Sequence, residues 1–313
     1  MTGDGRAIPG EIFDAVDALA CGIDIVPPAA SQRALVCRTA LDTHEPLASD
    51  AASRLVRRRG GRVALYTGFV TPDRYPAGEN DGPLGAAALA RALVRAGVGA
   101  TIYTDPEVAE TTRWLVAELG EDIPVASLAD DPQIPSTGVD AAIAIEKPGA
   151  NPVGVMHTAD GRRIDGGSKP IDRLFAAFDR AGILTIGIGD RGNEVGFGRI
   201  RERLIDLDPT LGVCACGCGG GLVAATATDI LIPAAVSNWG AYALAAALAL
   251  LTGRSACALE PEEERRMLNV AAVRGCRDGI RCRGAFGIDG LDGEVSVRVV
   301  AALRKLVRQT LAY

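Results

Sequence analysis

Residues 183–198 read Ile-Leu-Thr-Ile-Gly-Ile-Gly-Asp-Arg-Gly-Asn-Glu-Val-Gly-Phe-Gly. The first part is an apolar run of strand length, and the second is a glycine-dense turn that carries Asp190, Asn193 and Glu194. A short apolar strand that empties into such a turn belongs to an open α/β sheet, whose ligands gather beyond the carboxyl ends of the strands. Each glycine gives up backbone entropy on folding, so so many of them beside two acids need a reason. The expectation is that they let the backbone approach a ligand, while the acids meet a metal or an amine.

Gly187, Gly189 and Gly192 also fit G-x-G-x-x-G, the pattern that seats a dinucleotide pyrophosphate on a helix N-terminus. Two features oppose that reading. Asp190 and Glu194 would face a doubly negative pyrophosphate, and no second strand ends in an acid about 20 residues later, where the ribose contact is expected. Asp206 and Asp208 come early and precede a proline. No NAD is expected.

Working outward, strand and helix patterns alternate. Val63–Tyr66, Val98–Tyr103, Val139–Ile145, Ile183–Ile188 and Ile230–Ile232 read as strands, while Leu84–Arg95, Pro106–Leu119 and Pro170–Ala181 read as helices. Thr67–Pro83 is a long Gly/Pro loop. Repeated βαβ units predict parallel pairing with right-handed crossovers, so the fold class is α/β: a mostly parallel sheet flanked by helices in three layers. Upstream, Glu11–Leu19 and Leu47–Arg58 read as helices joined by a Pro- and Ala-rich loop. Residues 1–60 are therefore a helical lead-in with no nameable chemistry, and residues 61–313 form the α/β domain.

The polar clusters sit after the strands. Strand 63–66 leads to Gly78-Glu79-Asn80-Asp81-Gly82-Pro83, strand 139–145 to Glu146-Lys147-Pro148-Gly149, strand 183–188 to Asp190 and Glu194, and strand 230–232 to Ser237-Asn238-Trp239-Gly240. Parallel strands deliver these loops to one edge. For Asp81 and Glu194 taken singly, helix capping or a local turn bond is the competing role.

The 313 residues are 48% hydrophobic and 23% charged, the balance of a soluble globular protein. A formal net charge of -6 gives no basic footprint, which excludes nucleic acid as the expected partner. Arg57-Arg58-Arg59 reads as a solvated helix end. Met1–Gly10 lacks the basic start and apolar core of a secretory signal, which predicts a cytoplasmic protein. Ala241–Leu251 is too short to span a bilayer and reads as a buried helix, so no membrane partner is expected. A homo-oligomer is left open.

Eight cysteines in such a chain read as reduced thiols. Cys214, Cys216 and Cys218 would share one face of an extended segment and could bind a soft metal. Their spacing is not C-x-x-C, and only His44 and His157 are available as helpers. Small apolar filler beside Gly217 and Gly219–Gly221 is the favoured reading.

Gly68-Phe69, Glu79-Asn-Asp-Gly-Pro-Leu-Gly85, Ile145-Glu-Lys-Pro-Gly149, Gly187-Ile-Gly-Asp-Arg-Gly-Asn-Glu-Val-Gly-Phe-Gly198 and Ser237-Asn-Trp-Gly-Ala-Tyr242, in this order and spacing, resemble the C-terminal domain of the D-glutamate cyclases. The resemblance runs from about residue 50 to the C-terminus, here as a stand-alone protein. It implies ring closure of D-glutamate, or a related amino acid, to 5-oxo-D-proline with loss of water, a carbon–oxygen lyase reaction. Under that reading a Mg or Mn ion held by Asp81, Asp190 and Glu194 would act as Lewis acid. Glu146 or Glu79 is the candidate base, and Lys147 and Asn238 are placed to hold substrate carboxylates or the departing oxygen; Lys147 fits equally as a salt-bridge partner of Glu146. Asn80, Asn193 and Ser237 join the candidate substrate-binding set. The Asp-Gly pairs near the C-terminus read as tight turns, with Asp278 and Asp289 as ammonium ligands if their loop folds over the strand ends. The alternatives are a divalent-metal-dependent hydrolase such as a phosphatase and a non-catalytic small-ligand binding module.

Overall fold

The structure, a computed structural model, describes residues 7–22, 25, 32–42, 47–129, 133 and 138–312; His44 lies outside them. Six strands form one sheet: β1 (Arg62–Thr67), β2 (Gly99–Thr104), β3 (Val125–Ser127), β4 (Ala141–Ile145), β5 (Leu184–Gly189) and β6 (Ile230–Pro233). Every neighbouring pair is parallel, in the order β3-β2-β1-β4-β5-β6. The order reverses between β1 and β4, and such a switch point opens a crevice beyond the strand ends.

Period-2 alternation sorts the strand side chains into two cores. Val63, Leu65, Ile143, Ile145, Ile186 and Ile188 face a large helical layer. That layer contains α1 (Gly10–Ala20), α3 (Leu47–Val56), α4 (Pro83–Ala96), α5 (Pro106–Glu118), α8 (Ser237–Thr252), α9 (Pro261–Val273) and α10 (Gly293–Leu311). Ala64, Tyr66, Ala142 and Ala144 face the opposite way, onto Leu174, Phe175 and Phe178 of α6 (Asp172–Arg180). On this side α7 (Arg201–Leu207) packs with α2 (Gln32–Leu41) near Leu231. The three-layer α/β expectation holds.

Helix α8 is buried on all sides from Ser237 to Leu250, as its uninterrupted apolar composition requires. Among the described residues no helix is long and apolar enough to cross a membrane. The N-terminal region differs from its reading as two helices and a loop, because α2 forms inside the presumed loop. Its buried positions include Arg33 beside Val36 and Ala40, so no clean apolar stripe advertises it.

Candidate active site

Strand β1 ends at Thr67 and the chain wanders through Phe69, Tyr75 and Glu79 before α4 begins. A parallel bridge between Glu79 and Arg277 docks the C-terminal loop against this segment, with Asn80 N donating to Arg277 O at 3.0 Å and Arg277 N to Gly78 O at 3.0 Å. Beyond β4, Glu146 takes the left-handed conformation, φ 45°. Such a backbone is strained for a residue with a Cβ and persists only where its surroundings hold it. Its N–H is fixed to Ile188 O at 3.0 Å and its carboxylate accepts the Ser237 hydroxyl at 2.5 Å.

These loops enclose a cavity of about 300 Å³, which suits a molecule of amino-acid size. Glu79, Glu146, Asp190, Asn193 and Asp289 line it, together with Arg191, Arg74 and Asp160. Phe69 and Tyr75 form an edge-to-face pair on one wall, their centroids 6.3 Å apart. The loops after β1, β4 and β5 thus bring Glu79, Glu146, Asp190 and Asn193 to one pocket, the C-terminal loop adds Asp289, and the loop after β6 contributes no lining residue.

The other candidates stand behind the wall, each with a bonding role. Asp81 accepts the N–H groups of Ser237 at 2.9 Å and Asn238 at 2.8 Å. Asn238 Oδ1 accepts those of Gly82 at 2.9 Å and Gly85 at 2.7 Å. Asn80 Nδ2 donates to Gly287 O at 2.7 Å. Lys147 is fully buried and spends its ammonium on Asp105 Oδ2 at 2.5 Å and Gly68 O at 3.1 Å; its ion-pair partner is Asp105 and not Glu146. Asp278 holds a turn, accepting the N–H groups of Ile280, Arg281 and Gly290.

Glu194 folds its carboxylate back over the turn it ends, accepting Gly192 N at 2.8 Å and Arg191 N at 3.2 Å. The donors that a G-x-G-x-x-G turn would offer to a pyrophosphate are therefore engaged by a carboxylate of the same loop. The glycines also have a different use from the expected one. A Cβ on Gly187 would meet Val195 O at 2.7 Å, and one on Gly189 would meet the Phe197 ring at 2.6 Å. They let residues 194–198 pack down on β5, and it is chain, not ligand, that approaches them.

Two cations went unnoticed in the sequence. Arg33 of α2 reaches Asp190 Oδ2 at 3.2 Å and forms an ion pair with Asp289. Arg191, inside the quoted motif, lies 3.6 Å from Asp190 and 3.9 Å from Asp289. Arg191 could have been marked, since it follows Asp190 directly; nothing in the sequence marked Arg33.

Burial pushes Glu79, Glu146 and Asp190 well above the ordinary carboxylate range, and neighbouring carboxylates push further. Asp81 rises to about 8, mainly by burial. Asp289 goes the other way: burial would raise it, but Arg33 and Arg191 hold it below its usual value. Burial likewise opposes the charge of Arg33 and Arg191, which the surrounding carboxylates more than restore. Acids that hold their protons more tightly than usual thus stand beside one that gives its proton up more readily, the arrangement in which proton donors and acceptors coexist.

Carboxylate oxygens of Asp81, Asp190 and Asp289 lie within 4.8 Å of one another, and so do those of Glu146, Asp190 and Glu194. Asp190 belongs to both groups, whereas Asp81 and Glu194 fall in different ones. Asp190 Oδ2 is buried with no well-aligned hydrogen bond, its neighbours being the guanidinium groups of Arg33 and Arg191. All-oxygen donor sets of this kind fit Mg or Mn better than zinc.

A family model described as D-glutamate cyclase-like, C-terminal, matches residues 31–304. The chain belongs to this family. It is also 30% identical over 235 residues to the human (Homo sapiens) mitochondrial D-glutamate cyclase, a match that covers 68% of this chain and 36% of the human protein. The chain thus spans little more than a third of the relative it matches. The family match takes in α2 and so includes Arg33.

Proposed function

We propose that the pocket closes D-glutamate, or a close relative, to 5-oxo-D-proline. The observation that carries this reading is the set of protonatable carboxyl groups, Glu79, Glu146 and Asp190, beside Arg191 in one small cavity of a D-glutamate cyclase-like domain. The reaction forms a bond from the α-nitrogen to the carbon of the γ-carboxylate and breaks a C–O bond at that carbon. Two protons leave the ammonium and depart with the oxygen as water, so no net proton is gained or lost. The site must therefore move protons from nitrogen to oxygen.

Asn193 Oδ1 is a buried acceptor without a partner in the pocket wall and suits the substrate ammonium. Arg191 suits a substrate carboxylate, in the place first given to Lys147 and Asn238, whose polar groups are committed elsewhere. Glu146, fixed by Ser237, is the candidate base, its burial raising its affinity for a proton, and Glu79, whose burial beside Asp289 and Asp81 favours the protonated form, is the candidate acid for the departing oxygen. A divalent cation, held by Asp190 with Asp81 and Asp289 or with Glu146 and Glu194, would supply polarisation of the reacting carboxyl oxygen. The cytoplasmic placement rests on the sequence; the human relative's name places that protein in mitochondria.

The test is incubation of the purified protein with D- and L-glutamate, with and without Mn or Mg, following the lactam by NMR. Lactam from the D-isomer is expected. Lactam from neither isomer, under any metal condition, overturns the proposal, and phosphate release from a phosphomonoester in the same preparation would put the hydrolase in its place.

A further inference from the structure

Away from the acidic pocket floor, Cys214, Cys216, Cys218 and His157 bring four ligand atoms together, all within 4.8 Å of one another. Cys214 Sγ lies 3.4 Å from Cys216 Sγ and 3.4 Å from Cys218 Sγ. His157 Nε2 lies 3.1 Å from Cys216 Sγ and 3.8 Å from Cys218 Sγ. Around a tetrahedral zinc with Zn–S of about 2.3 Å and Zn–N of about 2.0 Å, neighbouring ligand atoms stand roughly 3.5–3.8 Å apart. These four separations match that spacing to within a few tenths of an ångström. All three thiols are free, and their separations are far beyond the roughly 2.05 Å of a disulfide.

The segment is a turn and not the extended strand expected from its alternating cysteines. Gly217 and Gly219 adopt φ of +70° and +79°, and this reversal points three alternating sulfurs at one centre. Ala215 N donates to Gly161 O at 3.0 Å, docking the turn on the hairpin that carries His157. Asn151 Nδ2 donates to Cys218 Sγ at 3.2 Å, a bond that favours thiolate. Burial of Cys214 fits the apolar-filler reading, but exposed Cys216 and half-buried Cys218 beside an imidazole do not.

We infer that Cys214, Cys216, Cys218 and His157 form a Cys₃His zinc site. With four protein ligands the coordination is closed, so the role is structural. The site ties the 214–218 turn to the loop behind the pocket: the His157 carbonyl accepts Asn193 Nδ2 at 3.0 Å, and Thr158, Ala159 and Asp160 line the cavity. Zinc would fix the wall against which Asn193 is set.

The test uses the full chain, reduced and stripped with a chelator, then titrated with Zn²⁺ against a chromophoric competitor and, separately, with Co²⁺. Uptake of about one equivalent is expected, with the thiolate-to-cobalt absorption and intense visible bands of a tetrahedral thiolate site, and zinc should raise the thermal midpoint. Cys216→Ser, at the exposed ligand, should keep the fold while weakening zinc by more than the roughly 10–100-fold that loss of an outer-shell partner costs. A Cys214→Ser/Cys218→Ser double variant should lose the cobalt spectrum. The inference is overturned if the reduced wild-type chain takes up neither metal, if its cobalt spectrum lacks the thiolate band, or if both variants bind as the wild type does. These readouts are independent of lactam formation, so failure of the cyclase proposal would leave them unaffected.

Discussion

Asp81 and Asn238 cap each other's helices. The Asp81 carboxylate takes the first N–H groups of α8, and the Asn238 side-chain oxygen takes those of Gly82 and Gly85 at the start of α4. Each helix thus carries at its tip the acceptor that the other's unpaired donors need, which locks the β1 and β6 loops together behind the pocket. Asn238→Ala should strip the buried Gly85 N–H of its acceptor and leave the Gly82 N–H only its 3.0 Å bond to Asp81, at a cost of about 1–3 kcal/mol, read as a lower urea midpoint with unchanged slope. An unchanged midpoint would show that the paired caps do not hold the helices.

Asp190 is the carboxylate common to both oxygen clusters. Because burial already pushes its pKa well up, Asn mimics its protonated shape and should leave the fold intact. If the group polarises or relays protons to the reacting carboxyl, Asp190→Asn should lower turnover by about 10²-fold or more. Thermal midpoint and initial rate should be measured on the same preparation with Mn supplied. Full activity would remove Asp190 from the chemistry.

Arg33 touches two buried acids, Asp289, which it holds ionised, and Asp190. Its replacement by Met should destabilise the protein by about 3–5 kcal/mol, the scale for stranding a buried charge. It should also raise the Asp289 pKa, since Arg33 is the chief group holding it down. If Asp289 must be ionised to hold a cation, the acid limb of the pH–rate profile should then move to higher pH, with Arg33→Lys in between. A pH profile identical to that of the wild type would make the arginine purely structural.

Stability should fall as pH rises from about 4 to about 8. Asp17 and Glu264 are raised to about 7 and Asp81 to about 8, in each case chiefly by burial. An acid whose folded pKa lies above its unfolded value binds its proton more tightly when folded. It therefore adds stability that is complete below the unfolded pKa and is lost as pH climbs through the folded one. Asp289, lowered, has the opposite slope, but its loss lies below the ordinary carboxylate range. Glu264 accepts hydroxyls from Ser296 at 2.5 Å and Tyr242 at 2.6 Å, so Glu264→Gln keeps its shape and should flatten part of the slope. Thermal midpoints at about pH 5 and about pH 8.5 decide it, and a midpoint that rises between them refutes the assignment.

The sheet and its edge were readable because short apolar strands, each followed by polar loops, leave few other folds open to the chain. Glu79, Glu146, Asp190 and Asn193 meet for that reason, and Asp289 joins them from the C-terminal loop. What the sequence hid depends on distance along the chain. Lys147 faces Asp105 and not the adjacent Glu146, and Asn238 faces Gly82 across 156 residues. Arg33 sits in a helix whose buried positions mix charge with apolar groups. The glycines of 187–198 announced close approach correctly, but composition could not tell a ligand from the protein's own backbone.

The wall carrying Gly279, Ile280 and Asp289 reaches the pocket late in the chain, tethered by the Glu79–Arg277 bridge and by Tyr75 Oη donating to Gly279 O at 2.5 Å across 204 residues. Contacts this distant form only after the intervening chain has been ordered, and they are slow to close. Glu79 and Asp190, delivered by the loops after β1 and β5, thus owe part of the burial that lifts their pKa values to a loop that arrives from far along the chain.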